Sequence, residues 1–204
     1  MTSILTGDII NSRSIDTKLW LPILKDAFNT IGTSTKTWEI YRGDSFQIEI
    51  SSIESALLFA IKLKTTLKKI KNLDVRIAIG IGAKSEDFKN ITEGNGEAFI
   101  NSGFAFDNIL KKQNLAFKTP WADFDSVMNT SLALALLTMD NWTINSASFV
   151  ELYLKNPTVT QKIIAKELNI SESSASERRK RAGLDEIMQL EELYRVLISQ
   201  KTIS

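Results

Sequence analysis

The sequence predicts an α+β protein in which a domain built on a β-sheet precedes an all-helical domain. Three observations support this prediction. Strand-like and helix-like segments alternate up to about residue 120, only helix-like segments follow Pro120, and the composition is that of a chain with a hydrophobic core. Of the 204 residues, 43% are hydrophobic and 24% are charged, which argues against disorder. We therefore divide the chain into a domain at residues 1–120 and a second domain at residues 121–204.

Periodicity and turn signals predict the elements of the first domain. Trp20, Leu24 and Phe28 recur at helical spacing, and Gly43-Asp44 separates two segments rich in aromatic and β-branched residues, as in a β-hairpin. The order is strand, helix, hairpin, helix, strand, helix, strand. The predicted strands are 3–6, 37–42, 45–51, 75–81 and 115–118, of which the second and third form the hairpin, and the predicted helices are 16–31, 52–70 and 96 to about Leu110. This order predicts a ferredoxin-like βαββαβ sheet extended by one helix and one strand.

The helix predicted at residues 52–70 is amphipathic. Its apolar stripe includes Ala56, Phe59, Leu63 and Leu67. Lysines occupy much of the remaining surface, as expected for the solvated side of a helix that packs on a sheet. We therefore expect these lysines to face solvent rather than to bind a partner.

Helical periodicity continues alone after Pro120. Helices are predicted at 123–139, 146–155, 160–168, 173–182 and 185–200. The third and fourth are short and are separated by Asn169-Ile170-Ser171, which is the spacing of a helix-turn-helix at about 160–182. Because no low-complexity linker separates the two domains, we expect them to pack against each other.

Composition excludes several classes of site. The chain has no cysteine and no histidine, so thiol nucleophiles, Ser-His triads and sulfur or imidazole metal ligands are excluded. Any metal site must therefore be built from oxygen atoms. With 25 Lys and Arg residues against 24 Asp and Glu residues the net charge is +1, so a surface that binds nucleic acid must be local.

The first residues and the longest apolar run do not indicate a secreted or membrane protein. The segment MTSILTGDII has no basic residue before Asp8, unlike a signal peptide. The run from Leu132 to Met139 is shorter than the ~20 residues of a membrane-spanning helix. We expect a cytoplasmic protein without a membrane partner.

Two aspartates are predicted to meet at one edge of the sheet. In a βαββαβ sheet the first and second strands run parallel on either side of the third, so the end of the first strand lies beside the hairpin. Asp8 and Asp44 stand at these two places. Two carboxylates there can bind Mg²⁺ or Mn²⁺, and such ions hold and polarise the phosphates of a nucleoside triphosphate. The alternative is that both are ordinary turn residues, since Gly-Asp pairs favour turns.

Four segments of the first domain carry a family resemblance. They are Gly7-Asp8-Ile9-Ile10-Asn11-Ser12-Arg13, Arg42-Gly43-Asp44-Ser45-Phe46-Gln47, Arg76-Ile77-Ala78-Ile79-Gly80-Ile81-Gly82 and Gly96-Glu97-Ala98-Phe99. In this order they resemble segments of the SatD family, which is itself similar to the catalytic domain of class III nucleotidyl cyclases. The resemblance covers roughly residues 3–110 and is looser in the C-terminal helices. Its specificity lies in the order of the segments.

The resemblance implies a site for a metal ion and a nucleotide. Asp8 and Asp44 would be the metal ligands, with the Ile9 carbonyl as a further ligand. The segment made of Ile9, Ile10, Asn11 and Ser12 would face the phosphates, with Arg42 as a further nucleotide-binding residue. The resemblance also implies a homodimer, because cyclase-type sites form between two such domains.

One feature of the cyclases is missing from the helix after Gly96. Class III cyclases place an asparagine there and, four residues later, an arginine that stabilises the transition state. Asn101 fits the first, catalytic role, but Ala105 stands at the second position. Loss of one such donor costs about 10²–10³ in rate. Arg13 and Arg42 are candidate replacements, unless both are solvated residues at strand ends. The resemblance therefore implies nucleotide binding without efficient turnover, as in a sensor.

The pair of helices at about 160–182 has the residues that a DNA-reading unit requires. Ala165 and Ala175 allow the helices to approach, Ile170 anchors the turn, and Thr160 with Ser171 or Ser173 can cap the helices. Residues 157–183 hold six basic and three acidic residues, a local charge of +3. The residues expected to contact DNA are Thr160, Gln161, Ser173, Ser174, Ser176, Arg178, Arg179 and Arg181.

Two features of the helical domain leave alternatives open. Arg178 and Arg179 stand where such a helix usually has a bulky apolar residue, so their stems are expected to cover the core. A helical hairpin with a basic, solvated face for protein contact is the alternative to DNA binding. Ile187, Leu190 and Tyr194 form an apolar stripe that either dimerises or is buried in its own domain.

These observations together predict a dimeric DNA-binding transcriptional regulator whose degenerate cyclase-like domain senses a nucleotide and a metal ion. The first alternative is an active nucleotidyl cyclase or nucleotidyltransferase in which the helical domain is a regulatory or partner-binding module. The second is a structural interaction module in which both sites are vestigial.

Overall fold

In the computed structural model, which describes residues 1–85, 88–109 and 111–202, a five-stranded mixed sheet forms the N-terminal part of the chain. Its strands are β1 (Thr2–Ile10), β2 (Trp38–Tyr41), β3 (Ser45–Ile50), β4 (Asp74–Gly82) and β5 (Leu115–Lys118). The order across the sheet is β2-β3-β1-β4-β5, in which β4 and β5 are parallel and the other neighbours are antiparallel. The predicted α+β class is confirmed.

Eight α-helices lie within the described residues. They are α1 (Thr17–Asn29), α2 (Ala56–Lys68), α3 (Glu97–Asn108), α4 (Ala122–Met139), α5 (Ile144–Lys155), α6 (Gln161–Glu167), α7 (Glu172–Arg181) and α8 (Leu184–Thr202). In the part of the chain that the structure describes, only helices follow β5, as the sequence predicts. The helix predicted to continue to Leu110 is described up to Asn108, and Leu110 itself lies outside the described residues.

Strand β1 is longer than the sequence predicts. It was expected at residues 3–6 but continues through Gly7 and Asp8 to Ile10. Gly7 is required inside the sheet because a Cβ there would lie 2.3 Å from the ring of Phe46 and 2.5 Å from the carbonyl oxygen of Arg76. Asp8 therefore has a strand on each side, and its interpretation as a turn residue is wrong.

Helices cover both faces of the sheet. On one face, α1 and α2 pack against a core that includes Leu5, Phe46 and Ile79. On the other face, α3 packs on β4 and β1 and approaches β4 closely: a Cβ at Gly80 would lie 2.1 Å from the backbone nitrogen of Ser102. These contacts fix α3 against the face of the sheet to which Asp8 also points, because residues two apart along a strand share a face.

The expectation that the lysines of the helix after β3 face solvent holds for Lys62, which is exposed, but is wrong for Lys64 and Lys69. The side chain of Lys64 is 2% exposed, and its amine lies 2.7 Å from Asp74 Oδ1 and 2.6 Å from Asp140 Oδ1. Lys69 forms an ion pair with Glu151 of α5 at 2.6 Å. The reason is that β4 and the turn after α4 supply the partners of Lys64, while α5 packs on α2 and supplies that of Lys69. Periodicity within α2 alone does not reveal these partners.

The helices after Pro120 share the hydrophobic core of the sheet. The ring of Tyr194 stacks on Phe117 of β5 with centroids 5.1 Å apart, and the Tyr194 hydroxyl donates a hydrogen bond to the carbonyl of Ile53. Ile187 and Leu190 are buried in the same core. The apolar stripe predicted on the last helix is thus buried within its own chain.

Candidate functional site

Asp8 and Asp44 lie at the same edge of the sheet, namely the rim where the end of β1 lies beside the β2–β3 turn. Ser45 stands opposite Asp8 in the antiparallel register of β1 and β3, and the backbone N–H of Ile9 donates to the Asp44 carbonyl at 3.1 Å. The turn that carries Asp44 uses positive φ angles at Arg42 (53°) and Gly43 (92°). The hairpin thereby brings together two residues that are far apart in the sequence.

The Asp8 carboxylate is paired with Arg76 of β4. The Arg76 Nε lies 2.8 Å from Asp8 Oδ1, and a guanidinium Nη donates to Oδ2. This bidentate hydrogen bond raises the pKa of Arg76, while partial burial opposes the rise. The same guanidinium lies 5.8 Å from the centroid of the Phe106 ring of α3. The protein therefore supplies its own counter-ion to Asp8.

The Asp44 carboxylate is held by the segment that follows β1. The hydroxyl of Ser12 donates to Asp44 Oδ2 at 2.5 Å, and Ser12 itself is buried. The preceding residue, Asn11, has a φ of 64°, and its side-chain amide donates to the carbonyl of Asn72 at 2.8 Å. The segment from Ile9 to Ser12, which is predicted to face phosphates, is thus fixed at one end by the N–H of Ile9 and at the other by the side chains of Asn11 and Ser12.

The other predicted nucleotide-binding residues lie around this edge. Ile10 ends β1 opposite Asp74 of β4, and Arg42 is exposed on the β2–β3 turn. Tyr41 shares the row of Ser45 and Asp8 across the sheet. Burial raises the pKa of the Tyr41 hydroxyl, with Arg42 opposing the rise and the negative charge of Asp8 adding to it. The edge therefore combines a phenol, carboxylates and an exposed cation.

The donors at this edge fit a divalent cation in their chemistry. Asp8 and Asp44 offer carboxylate oxygens, the ligands that Mg²⁺ and Mn²⁺ prefer. Because the N–H and C=O of a strand residue point to the same side, the Ile9 carbonyl also faces the Asp44 turn. Within the described residues no group of three or more acidic side chains gathers at a metal-binding distance. A cation here would rely on two carboxylates and would compete with Arg76 for one of them.

Asn101 and Ala105 lie on the side of α3 that packs on the sheet. The Asn101 amide donates to the carbonyl of Ile81 at 2.8 Å. Ala105 is fully buried between Ala78 and Ala116. Asn101 is thus occupied in joining α3 to β4, and an arginine at position 105 would find no room. For this reason we leave Asn101 out of the candidate site.

The pair α6 and α7 forms a two-helix unit with a tight turn. Ala165 and Ala175 are buried between the helices, and Asn169 has a φ of 51° in the turn. The N–H of Ile170 donates to the carbonyl of Ala165 at 3.0 Å. This turn prevents α6 from continuing and directs α7 across it.

The predicted caps of both helices are formed. The Thr160 hydroxyl accepts from the N–H of Ile163 at 3.4 Å, and the Ser171 hydroxyl accepts from the N–H of Ser174 at 3.2 Å. Ser171 rather than Ser173 caps α7. The Gln161 amide donates to the carbonyl of Glu172 at 3.1 Å and joins the two helix starts. Gln161 therefore has a structural contact at a position expected to reach DNA.

The basic residues of α7 have different surroundings. Arg179 is turned inward: its Nε lies 3.0 Å from Asp185 Oδ1, and its guanidinium lies 5.5 Å from the centroid of the Tyr153 ring. Arg181 pairs with Glu177 at 3.0 Å on the exposed side. Within the described residues, Arg178 makes no ion pair. Arg179 is thus anchored in the fold, whereas Arg181 is held only by an exposed ion pair and Arg178 remains available.

Arg178 and Arg181 border a polar cleft of about 490 Å³ between α7 and the start of α5. Thr143 and Ser146 contribute hydroxyl groups to its lining. The outward face of α7, opposite the buried Ala175, presents Ser173, Ser176, Glu177, Lys180 and Arg181 at helical spacing. Hydroxyls and cations of this kind suit base edges and phosphates, and Glu177 is the acidic exception.

Residue-by-residue reasoning on the sequence missed Arg76 and Glu177. The signal for Arg76 was the antiparallel register of β1 and β4, which places it opposite Asp8. The signal for Glu177 was its spacing of four residues from Ser173 on the outward side of α7. Both signals require geometry as well as residue type.

No protein-family model, curated protein or solved structure matches the chain. Within the described residues, no helix combines the length and the hydrophobicity of a membrane-spanning segment.

Proposed function

We propose that this protein is a DNA-binding transcriptional regulator whose sheet domain senses a nucleotide together with a divalent metal ion. The observation that carries the proposal is the α6–α7 unit, in which Ala165 and Ala175 are buried while α7 presents hydroxyls and cations outward. This is the arrangement that a helix-turn-helix uses to place its second helix in the major groove.

The chemistry of the outward face supports DNA as the partner. Lys180 and Arg181 suit phosphates or guanine edges, and Ser173 and Ser176 are short enough to let the helix approach the bases. Arg178 borders the polar cleft and offers a further cation for the DNA backbone. Arg179 instead positions α7 through Asp185 and Tyr153.

The strand order supports a ferredoxin-like, cyclase-like interpretation of the sheet domain. Four neighbouring strands follow the order β2-β3-β1-β4, with β1 and β2 both antiparallel to β3 between them. In this interpretation Asp8, Asp44 and the Ile9 carbonyl hold Mg²⁺ or Mn²⁺, while Asn11, Ser12 and Arg42 face phosphates. The ion, when bound, neutralises the phosphate charge. Homodimerisation belongs to the same proposal.

A run of contacts joins this edge to the helical part of the chain. Asn11 donates to the carbonyl of Asn72 at 2.8 Å, two residues before Asp74. Lys64 bridges Asp74 and Asp140 at 2.7 and 2.6 Å, and Asp140 follows α4. Trp142 then donates to the carbonyl of Ala182 at the end of α7 at 2.8 Å. A ligand that moves Asn11 therefore acts on a connected set of groups, of which Lys64, Asp74 and Trp142 are buried.

The proposal is tested by duplex binding as a function of salt. The wild-type chain is expected to bind a random-sequence duplex of about 30 base pairs, long enough for two half-sites one turn apart. The variant Lys180→Ala, Arg181→Ala is expected to bind more weakly, with the salt slope reduced by about 2. Lys111→Ala, Lys112→Ala is the matched control, because it removes the same charge from exposed residues. Equal binding by both variants would contradict the proposal.

A nucleotidyl cyclase or nucleotidyltransferase is the second candidate. It is favoured by the placement of Asp8 and Asp44 at one edge, with Arg76 as a nearby cation. Incubation with Mn²⁺ and each of the four nucleoside triphosphates distinguishes the candidates. Cyclic or transferred product that disappears in Asp44→Asn would favour the enzyme, and absence of product with tight nucleotide binding would favour the sensor.

A further inference from the structure

A cleft of about 900 Å³ opens between α2, α5 and α8, away from the sheet edge and from the outward face of α7. Leu58, Tyr153, Leu154 and Met188 give it an apolar wall. Glu191 of α8 also lines it. Most of the other lining residues are charged or polar, so the cleft suits an organic ligand that combines an apolar body with a charged group.

Glu191 is a buried carboxylate, and within the described residues only one of its oxygens accepts a hydrogen bond. The residue is 2% exposed, Oε2 accepts from the Nε of Arg195 at 3.0 Å, and Oε1 finds no donor in that part of the chain. Buried carboxylate oxygens in folded proteins almost always accept a hydrogen bond, because an unmet one is costly. Burial also raises the pKa of Glu191, with Arg195 opposing the rise. An added donor in the cleft would remove this cost.

We propose that this cleft binds a small organic cation, an amidinium or primary ammonium on an apolar body, with Glu191 as its anchor. A charged donor is favoured over a neutral one because charge-assisted hydrogen bonds to carboxylates are the stronger ones. The apolar body packs on Leu58, Leu154 and Met188. The lining holds four carboxylates against three cations, so its net charge of −1 favours a cation over an anion. The carboxylates are those of Glu54, Asp185, Glu191 and Glu192, and the cations are Lys62, Lys155 and Arg195.

The cations nearest to Glu191 in the lining do not close the cleft permanently. Lys62 is exposed, so its amine can turn towards solvent when a ligand enters. Arg195, whose side chain is 55% exposed, need not move, because its Nε binds Oε2. A ligand donor then reaches Oε1 while Arg195 keeps its bond to Oε2.

The occupant would touch the residues that hold α7. Tyr153 and Asp185 both line the cleft, and both contact Arg179 of α7. The cleft is therefore placed to influence α7 from the side opposite its outward face. Binding of the cation itself does not depend on the proposed DNA-binding function.

The test uses benzamidine, which joins an amidinium to a phenyl ring, titrated into the full chain by calorimetry. The wild type is expected to bind benzamidine and not benzoate, which has the same shape but the opposite charge. Glu191→Gln is expected to weaken binding about tenfold or more, since it removes a charge-assisted hydrogen bond. Glu186→Gln is the matched control, because it removes the same charge from an exposed residue of α8 that does not line the cleft, and it should leave the affinity within about twofold.

A second variant blocks the space and retains the anchor. Met188→Trp fills the cleft from α8 and is expected to abolish benzamidine binding with Glu191 intact, and circular dichroism checks that the helices are retained. No binding by the wild type, equal binding of benzoate, or equal losses in Glu191→Gln and Glu186→Gln would each overturn the proposal.

Discussion

Arg76 stands directly opposite Asp8 on the neighbouring strand, and its guanidinium binds both oxygens of the Asp8 carboxylate. The register of β1 and β4 fixes this contact, because each residue has a defined partner across an antiparallel pair. A divalent cation at Asp8 must therefore displace or share a cation that the protein already provides. Metal affinity at this edge depends on how readily Arg76 is released.

Arg76→Met is expected to raise the affinity for Mn²⁺ about tenfold, which corresponds to ~1.4 kcal/mol. The methionine retains the apolar stem beside Phe106 but removes the competing charge. Free Mn²⁺ in a titration is measured by electron paramagnetic resonance. Arg42→Met is the control, because it removes an exposed cation from the same edge without freeing Asp8. Weaker Mn²⁺ binding by Arg76→Met would show that Arg76 supports the metal site instead of competing with it.

Lys64 is the buried cation of a junction between α2, β4 and the end of α4. Lys64→Met is expected to lower the free energy of unfolding by about 3 kcal/mol, because Asp140 loses its ion pair while Asp74 keeps Lys68 at 3.2 Å. Urea denaturation followed by tryptophan fluorescence measures this loss. Lys62→Met in the same helix is the control and should change stability by less than about 0.5 kcal/mol, since Lys62 is exposed. Equal effects of the two substitutions would argue against the junction.

The comparison of Lys64 with Asp8 and Asp44 shows what the sequence can predict. The two aspartates were predicted to share an edge because element order alone determines which strand ends lie together. Arg76 was missed as their neighbour, since its contact depends on register, and a slip of one residue would turn it to the other face. Lys64 was misinterpreted because Asp140, the partner 2.6 Å away, comes from a helix in the second half of the chain. Local periodicity carries no information about such a partner.

Glu177 gives a second test of the proposed DNA interface. It lies on the outward face of α7 and pairs with Arg181 at 3.0 Å. Glu177→Gln is expected to strengthen duplex binding at low salt by about fivefold, near 1 kcal/mol, because it removes a negative charge facing phosphates and frees Arg181. Fluorescence anisotropy measures the change. Glu167→Gln, an exposed acid on α6, serves as the control. A loss of affinity in Glu177→Gln would indicate that Glu177 orients Arg181 for contact.

Glu191 should make stability depend on pH in a direction that its burial determines. Burial raises its pKa above the ordinary value of 4.5, so the ionised carboxylate destabilises the fold above the folded-state pKa. This cost disappears as the pH falls through that pKa towards 4.5, below which the carboxyl is protonated in both states.

Glu191→Gln is therefore expected to raise the free energy of unfolding at about pH 7 by about 1 kcal/mol and to have little effect near pH 4. Urea denaturation at the two pH values measures both numbers. Glu192→Gln should change neither, because Glu192 is exposed. A Glu191→Gln variant that is less stable than wild type near pH 7 would mean that the ion pair with Arg195 outweighs the cost of burial.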